Sequence, residues 1–261
     1  MSISFPDELI IQASGFGPAM TARQSIQFAK KILLDLETIS PWRRPFVVSG
    51  STKETGDMPI AADLSDFDEV VMRALRSRVD VRYYNENDPD NWNLTLDSLS
   101  PYGFGATYSN ACSVEKNEKR VYISLDFAGV DDNVSRDNGV FVIGIRSFEH
   151  DQVNAAWSDP AVVHRIFDYF IDNYDPLKCI VFGLGQRRRI RTLQGDYILG
   201  WLNYTRDHKV AGLLTKTEKA VPYRAGVLLQ LGDDASVLSD PKIDAELIEI
   251  AKMLSSAGVM R

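Results

Sequence analysis

The sequence has few of the residues that most often carry enzymatic chemistry. It contains two cysteines, Cys112 and Cys179, which lie far apart in apolar stretches, and only three histidines among 261 residues. We therefore predict that both cysteines are reduced thiols in the protein core, as is usual in the cytoplasm. No His-Glu-x-x-His motif or comparable metal spacing occurs, so we expect no bound metal and no other cofactor.

Long apolar runs and an excess of positive charge are lacking as well. No apolar run approaches the roughly 18 residues needed to cross a bilayer, and the first residues carry acids where a secretion signal would carry Lys or Arg. We expect a cytoplasmic protein without membrane contact. The net charge of -7 argues against direct binding of nucleic acid, because phosphate backbones favour clustered cations. It is compatible with a basic protein partner.

Two glycine-rich turns come close to nucleotide-binding motifs without completing them. Gly15-Phe16-Gly17 precedes a helical pattern, but Met20 stands where the third glycine of a dinucleotide-binding turn belongs. After Gly183 and Gly185, Arg188 occupies the same position in the second turn. No Walker-type lysine motif and no Gly-x-Ser-x-Gly elbow occurs. We predict no catalytic residue, and an enzyme that binds a nucleotide or a metal through the Gly15–Gly17 turn or scattered carboxylates is the first alternative.

Helical and strand patterns alternate along the chain and favour an α+β fold with a mainly antiparallel sheet and packed helices. Helices are predicted at 22–39, from Asp66 onward, at 161–174, and after Asp240-Pro241. The first has an apolar stripe of Ile26, Ala29, Leu33 and Leu36, and Asp159-Pro160 has the form of a helix start for the third. Strands are predicted at 46–48, 79–84, 93–99, 103–112, 120–127, 139–145, 179–183 and 226–231, and the polar segment 51–61 is predicted as a loop. The strands at 120–127 and 139–145 are predicted to form part of an antiparallel meander.

The chain is expected to form one domain over 1–261, with a finer division into subdomains at about 1–148 and 149–261. A helix, a proline stop, a short apolar strand and a glycine follow one another at 21–50 and again at 161–183. This repeated order favours two related α/β halves.

One dense basic cluster occurs, Gln186-Arg187-Arg188-Arg189-Ile190-Arg191. Each guanidinium presents a planar fork of donors, so the cluster could bind phosphates or the carboxylates of a partner. In a chain with 36 acidic residues, the same arginines could equally pair with the protein's own surface. The sequence leaves both alternatives open.

A series of motifs spans the last two-fifths of the chain. They are the helix that ends at Asp175-Pro176, Gly200-Trp201-Leu202-Asn203-Tyr204, the segment 223–229, and Asp240-Pro241 with the closing helix to 257–259. Together they resemble immunity-protein family 52 of the bacterial polymorphic toxin systems, most closely its pseudomonad type VI secretion members. The sequence departs from the family at Ala225-Gly226, where paired glycines are common. The motifs look structural and are expected to build the core.

The resemblance implies a cytoplasmic immunity protein that binds and neutralises a cognate secreted toxin. The implied toxin is a nuclease with a restriction-endonuclease-like fold, whose active site or substrate path the inhibitor would occlude. The resemblance carries no catalytic residues, and we expect a monomer or a homodimer that is not an enzyme. An adaptor protein of a secretion apparatus is the second alternative.

A nuclease must be basic around its substrate path, so an acidic and aromatic face is the expected toxin-binding surface. The candidates lie in two loops and are Glu86, Asp88, Asp90, Trp92, Asp131 and Asp132. Other acidic residues, such as Asp63, Asp66 and Asp68, stand near a helix start, where we expect them to cap backbone donors, and Asp66 is the expected cap of the helix that follows it.

Overall fold

The computed structural model describes residues 8–39, 46–49, 56–77, 94–100, 103–110, 121–128, 139–145, 159–194 and 199–259. In these ranges ten β-strands form: β1 Leu9–Ser14, β2 Phe46–Ser49, β3 Asp57–Pro59, β4 Gly105–Asn110, β5 Val121–Asp126, β6 Val140–Ile145, β7 Lys178–Gly183, β8 Leu202–Thr205, β9 Ala220–Tyr223 and β10 Gly226–Gln230. The six α-helices of the same ranges are α1 Ala22–Ile39, α2 Phe67–Ser77, α3 Pro160–Tyr174, α4 Leu184–Gln194, α5 His208–Leu214 and α6 Pro241–Ser256. The sheet structure is antiparallel, so the predicted α+β fold is confirmed.

Contacts divide the chain into two compact units. One unit is Gly15–Val142, with strand order β3-β2-β4-β5, and the other joins Met1–Ser14 to Ile143–Arg261, with strand order β1-β7-β8-β10-β9. The boundary between 142 and 143 falls within β6. The first strand of the chain belongs with the C-terminal strands because all of its residues pair with β7. A common origin of the two units stays a prediction.

In the unit Gly15–Val142, α1 packs through the stripe that its sequence predicts. The stripe consists of Ile26, Ala29, Leu33 and Leu36, all of them buried. A capping box opens the helix, because Thr21 Oγ1 accepts from the Gln24 N–H and Gln24 Oε1 accepts from the Thr21 N–H. β4, β5 and β6 are neighbours in chain order, as the predicted meander requires.

Four phenylalanines hold the start of α1 in the same unit. The rings of Phe16 and Phe141 are 3.9 Å apart between centroids, and Phe28 meets Phe127 edge to face at 5.6 Å. A Cβ at Gly139 would lie 2.8 Å from the Phe16 ring, so only glycine fits there. These contacts fix the Gly15–Gly17 turn against the body of the unit.

The strand predicted at 93–99 is wrong in its described part. Residues 94–100 form a turn with one isolated bridge, between Leu99 and Thr21. The carbonyl oxygens of Leu96 and Ser98 instead accept hydrogen bonds from the first amides of α1. Leu94 and Leu96 alternate with polar residues, which is typical of a strand, but the segment supplies acceptors to the N-terminus of a helix. The strand predicted at 79–84 lies outside the described residues.

The loop predicted at 51–61 is also wrong in part, because it contains the short strand β3. Of its three residues only Met58 is buried, and β3 lies at the outer side of β2. Three residues are too few to show the alternation by which strands are recognised.

In the other unit, α3 begins and ends as its sequence predicts. The Asp159 carboxylate accepts from the Ala161 N–H at 2.9 Å, and Pro160 occupies the first helical turn. Asp175 ends the helix in the left-handed conformation, with φ of 46°, and Pro176 follows. The Asp240-Pro241 start of α6 has the same arrangement.

The Gly200–Tyr204 motif is a buried structural element, as expected. The Asn203 side chain closes it by accepting from the Gly200 N–H at 2.8 Å and donating to the Gly200 oxygen at 2.7 Å. Trp201 is fully buried, donates through Nε1 to the Gly232 oxygen at 2.9 Å, and receives the His164 ring edge to face. The motif therefore joins β8 to the end of β10 and to α3.

One face of this unit carries a continuous hydrophobic core. It is built from Ile190 of α4, Val210 and Leu214 of α5, Val227 and Leu229 of β10, and Ile243, Leu247, Ile250, Ala251 and Leu254 of α6. Burial of such a set is the main stabilising contribution in a domain of this size. Over the described ranges, the helices are not both long and apolar enough to cross a membrane.

The β9–β10 hairpin is attached to α3 by two side chains at its turn. The Tyr223 hydroxyl donates to the Asp168 carboxylate at 2.7 Å. Arg224, in the left-handed conformation with φ of 51°, donates to both carboxylate oxygens of Asp172, at 2.8 and 3.1 Å. A bidentate ion pair of this kind fixes both the orientation and the distance of the hairpin turn relative to α3.

In each unit, the strand at one end of its strand order, β3 or β9, contains a proline. In the two-residue turn after β9, Tyr223 and Gly226 are directly opposite each other, so the preceding Pro222 turns its backbone groups outward. Because proline has no N–H, β9 lacks a donor on its free edge at that point. Pro59 ends β3.

Gly200→Ala should destabilise the protein, because a Cβ at this position would lie 2.2 Å from the Val181 oxygen and 2.5 Å from the Phe182 Cβ. We expect a loss of about 3 kcal/mol in the free energy of unfolding, measured by urea denaturation. Gly212→Ala is the matched control, since nothing lies within 4 Å of its added Cβ. That helical position should gain roughly 0.5–1 kcal/mol, and equal effects of the two changes would contradict the packing argument.

Candidate functional site

The sequence-predicted partner-binding residues Glu86, Asp88, Asp90, Trp92, Asp131 and Asp132 lie outside the described residues. The structure neither brings them together nor separates them, so the acidic, aromatic face stays a prediction.

The acidic residues that the structure does describe near α2 serve its local geometry. Asp63 accepts from the backbone N–H and the hydroxyl of Ser65, at 3.0 and 2.7 Å. Asp66 was expected to cap α2 with its side chain, but its carboxylate accepts from the Ala61 N–H at 2.8 Å, while its carbonyl oxygen accepts from Val70 N–H. The Asp66 carboxylate thus closes the preceding loop, and the Asp66 carbonyl oxygen accepts the first hydrogen bond of the helix.

At the Gly15–Gly17 turn and the helix start that follows it, several backbone donors are already bonded within the chain, and in the turn itself Gly15 N–H donates to the Gly139 oxygen at 3.2 Å. Both glycines have positive φ, 76° and 73°, as a tight turn before a helix requires. The first amides of α1 are occupied: Ala22 N–H donates to the Ser98 oxygen at 3.0 Å, Arg23 N–H to the Leu96 oxygen at 2.8 Å, and Gln24 N–H to Thr21 Oγ1 at 3.2 Å. A dinucleotide-binding turn depends on just such amides being available, so this turn gives the nucleotide alternative no support.

An open cleft of about 380 Å³ lies beside the first turns of α1. Its described lining consists of Pro18, Ala19, Met20, Gln24, Gln27, Phe28 and Lys31. The polar groups among these residues are two amides and one ammonium, and Lys31 pairs with Asp35. This lining provides no carboxylate, imidazole or thiol, the groups that most often act as general acids and bases.

Cys179 is a buried free thiol, as its apolar surroundings predict. Burial raises the pKa of this thiol well above its ordinary value, and the negative charge of Asp168 adds to the effect. The thiolate is the reactive form of cysteine, so Cys179 is chemically inert in the folded protein. Cys112 lies outside the described residues. Across the described ranges, no group of three or more His, Cys, Asp and Glu side chains could hold a metal ion.

The basic cluster lies on α4, where the structure divides it. Arg189 donates through Nε to Asp244 Oδ2 at 2.8 Å and through Nη2 to the Leu238 oxygen at 2.8 Å. Gln186 is almost fully buried and donates to Asp244 Oδ1 at 3.0 Å. Residues 186 and 189 are three apart, so both meet α6. For Arg189, the alternative of pairing within the chain is confirmed.

Arg187 and Arg188 face away from this network, and we call them together the α4 arginine surface. Arg187 lies over the Phe182 ring, with Cζ 5.7 Å from its centroid, an arrangement worth about 0.5–1 kcal/mol. Arg188 is exposed. Neither side chain has an ion pair with any residue in the described part of the chain. The buried Ile190 marks the inner side of the helix, but the acceptor of Arg189, Asp244, lies 55 residues further along the chain, so the local sequence does not show which arginine is paired.

Asp244→Ala should loosen the attachment of α4 to α6, because it removes the acceptor of both Gln186 and Arg189. We expect a loss of about 2 kcal/mol in the free energy of unfolding, measured by urea denaturation. Glu249→Ala is the control on the same helix: its pair with Lys252 is exposed on both sides and should contribute less than about 0.5 kcal/mol. A smaller loss for Asp244→Ala than for Glu249→Ala would rule out the attachment.

Comparison with known proteins gives one kind of likeness, that of structure. No family model matches the sequence, and no curated protein matches it. The resemblance to immunity-protein family 52 therefore receives no support from a family model. Among solved structures, the chain is similar to a Pseudomonas aeruginosa T6SS protein, PA0821, with a TM-score of 0.52. The likeness covers 95% of this chain and 73% of that chain at 10% sequence identity, so what the two proteins share is the fold.

Proposed function

We propose that this chain is an immunity protein that binds and neutralises a cognate toxin of a type VI secretion system. The observation that carries the proposal is the fold shared with a Pseudomonas aeruginosa T6SS protein over 95% of this chain. The C-terminal motifs that resemble immunity-protein family 52 support the same assignment from the sequence. In the proposal the toxin is a nuclease with a restriction-endonuclease-like fold, and the inhibitor occludes its active site or substrate path.

The motifs that carry the sequence resemblance build the core of their unit. Trp201 and Asn203 are buried and bonded within the chain, and Asp240 caps α6. Such residues specify a fold and leave the surface free to vary with the partner, as expected of inhibitors that each match one toxin. In this proposal the protein is not an enzyme, needs no cofactor, and acts in the cytoplasm as a monomer or a homodimer.

An adaptor of the secretion apparatus is the second candidate, because the same structural likeness to a T6SS protein supports it. The two candidates differ in what the neighbouring gene encodes. An immunity protein is expected beside a gene whose product stops growth, whereas an adaptor is expected beside components of the apparatus.

Co-expression with the neighbouring open reading frame tests the proposal directly. The neighbour alone should stop bacterial growth, and its co-expression with this chain should restore growth and yield a complex that co-purifies at a fixed ratio. Degradation of cellular DNA or RNA by the neighbour alone would identify the nuclease. A harmless neighbour that forms no complex would refute the proposal.

Charge reversal in the two acidic loops tests where the toxin binds. Asp88→Lys with Asp90→Lys, or Asp131→Lys with Asp132→Lys, should weaken toxin binding and slow association, because complementary charge steers encounter. Stopped-flow association rates at two salt concentrations measure the effect, which should diminish at the higher one. An unchanged affinity after all four reversals would eliminate the acidic face.

A further inference from the structure

Three neighbouring arginines of α4, Arg187, Arg188 and Arg189, are divided between a structural and an unpaired set. Arg189 has its carboxylate within the chain, in Asp244. Arg187 and Arg188 have none among the described residues, although acidic residues outnumber basic ones by 36 to 29 in the whole sequence. A guanidinium that has no carboxylate partner within the chain can donate its hydrogen bonds to another molecule.

The α4 arginine surface is held in place before any partner arrives. Leu184 N–H donates to the Glu8 oxygen at 2.8 Å, Ile190 is buried in the core, and Gln186 is bonded to α6. The contact with the Phe182 ring orients the Arg187 fork. A guanidinium that is already held in one orientation loses little conformational entropy on binding, and this raises the affinity of the contacts that it makes.

We propose that the α4 arginine surface binds clustered carboxylates of a partner protein. Guanidinium groups match the two oxygens of a carboxylate in bidentate fashion. A long polyanion such as nucleic acid is disfavoured by the net charge of -7, whereas a compact carboxylate cluster meets only the local positive charge. The charge complementarity therefore selects an acidic protein surface as the occupant.

This step rests on the proposed function: the carboxylates are then those of the active site of the nuclease toxin. Metal-dependent nucleases hold their divalent cations with clustered Asp and Glu side chains. Two guanidinium groups that enter such a cluster would neutralise the same carboxylates and exclude the metal. The α4 arginine surface would then meet the toxin's active site.

A fluorescein-labelled hexaglutamate peptide tests the surface without the toxin. Fluorescence anisotropy at low salt should show saturable binding to the wild type, and Arg188→Glu should weaken it at least about tenfold. Arg73→Glu is the matched control, because Arg73 is also an exposed helical arginine without an ion pair in the described residues; it should leave binding unchanged. Circular dichroism and the thermal midpoint check that both variants fold.

The outcomes separate the surface from the proposed function. Equal binding of the peptide by the wild type and Arg188→Glu would contradict carboxylate binding by the α4 arginine surface. Loss of binding in Arg73→Glu as well would contradict it too. Arginine-dependent binding of a single-stranded oligonucleotide in place of the peptide would overturn it too, since the surface would then recognise phosphate. Peptide binding that depends on Arg188, together with a harmless neighbouring gene product, would uphold the surface and refute the immunity function.

Discussion

The close approach of Gly200 to the strand beside it is the constraint on which the C-terminal half of the fold depends. With a hydrogen in place of a Cβ, the backbone of Gly200 lies against Val181 and Phe182 of β7. Asn203 then satisfies both polar groups of Gly200, and Trp201 reaches the Gly232 oxygen after β10. β8 is thereby fixed between β7 and β10, and the core helices have a surface on which to pack.

The Asp244 carboxylate connects this core to the arginines of α4. Asp244, on α6, accepts from the buried Gln186 and from Arg189, and so sets the rotation of α4 about its axis. Because that rotation is fixed, Arg188 is exposed and Arg187 lies partly exposed over the Phe182 ring. A basic cluster that is uniform in the sequence becomes two groups with different roles, one that stabilises the fold and one that is available to another molecule.

The features that the sequence predicted well are local ones. The stripe of α1 and the caps at Asp159 and Asp240 depend on residues within one or two turns, so their patterns identify them. The errors involve distant partners: Leu96 and Ser98 serve as acceptors for α1 more than 70 residues earlier in the chain. No periodicity reports such a contact, because the segment has no regular structure of its own.

In the candidate site, too, the contacts with distant residues could not be predicted from the local sequence. That α4 is basic is evident from composition, but which arginine is unpaired depends on Asp244, 55 residues beyond Arg189. The pairing of β1 with β7 is equally distant, and it places the start of the chain in the unit that contains α4. The acidic, aromatic face lies outside the described residues and stays a prediction.

The prolines of the outer strands have a consequence for recognition. A partner that extended this sheet by β-strand addition would need a run of backbone donors, and Pro222 removes one from the four-residue strand β9 while Pro59 ends the three-residue strand β3. Molecules that meet these edges must therefore be distinguished by side chains. Side chains can change from one relative to the next without altering the sheet, so specificity can diverge while the fold persists.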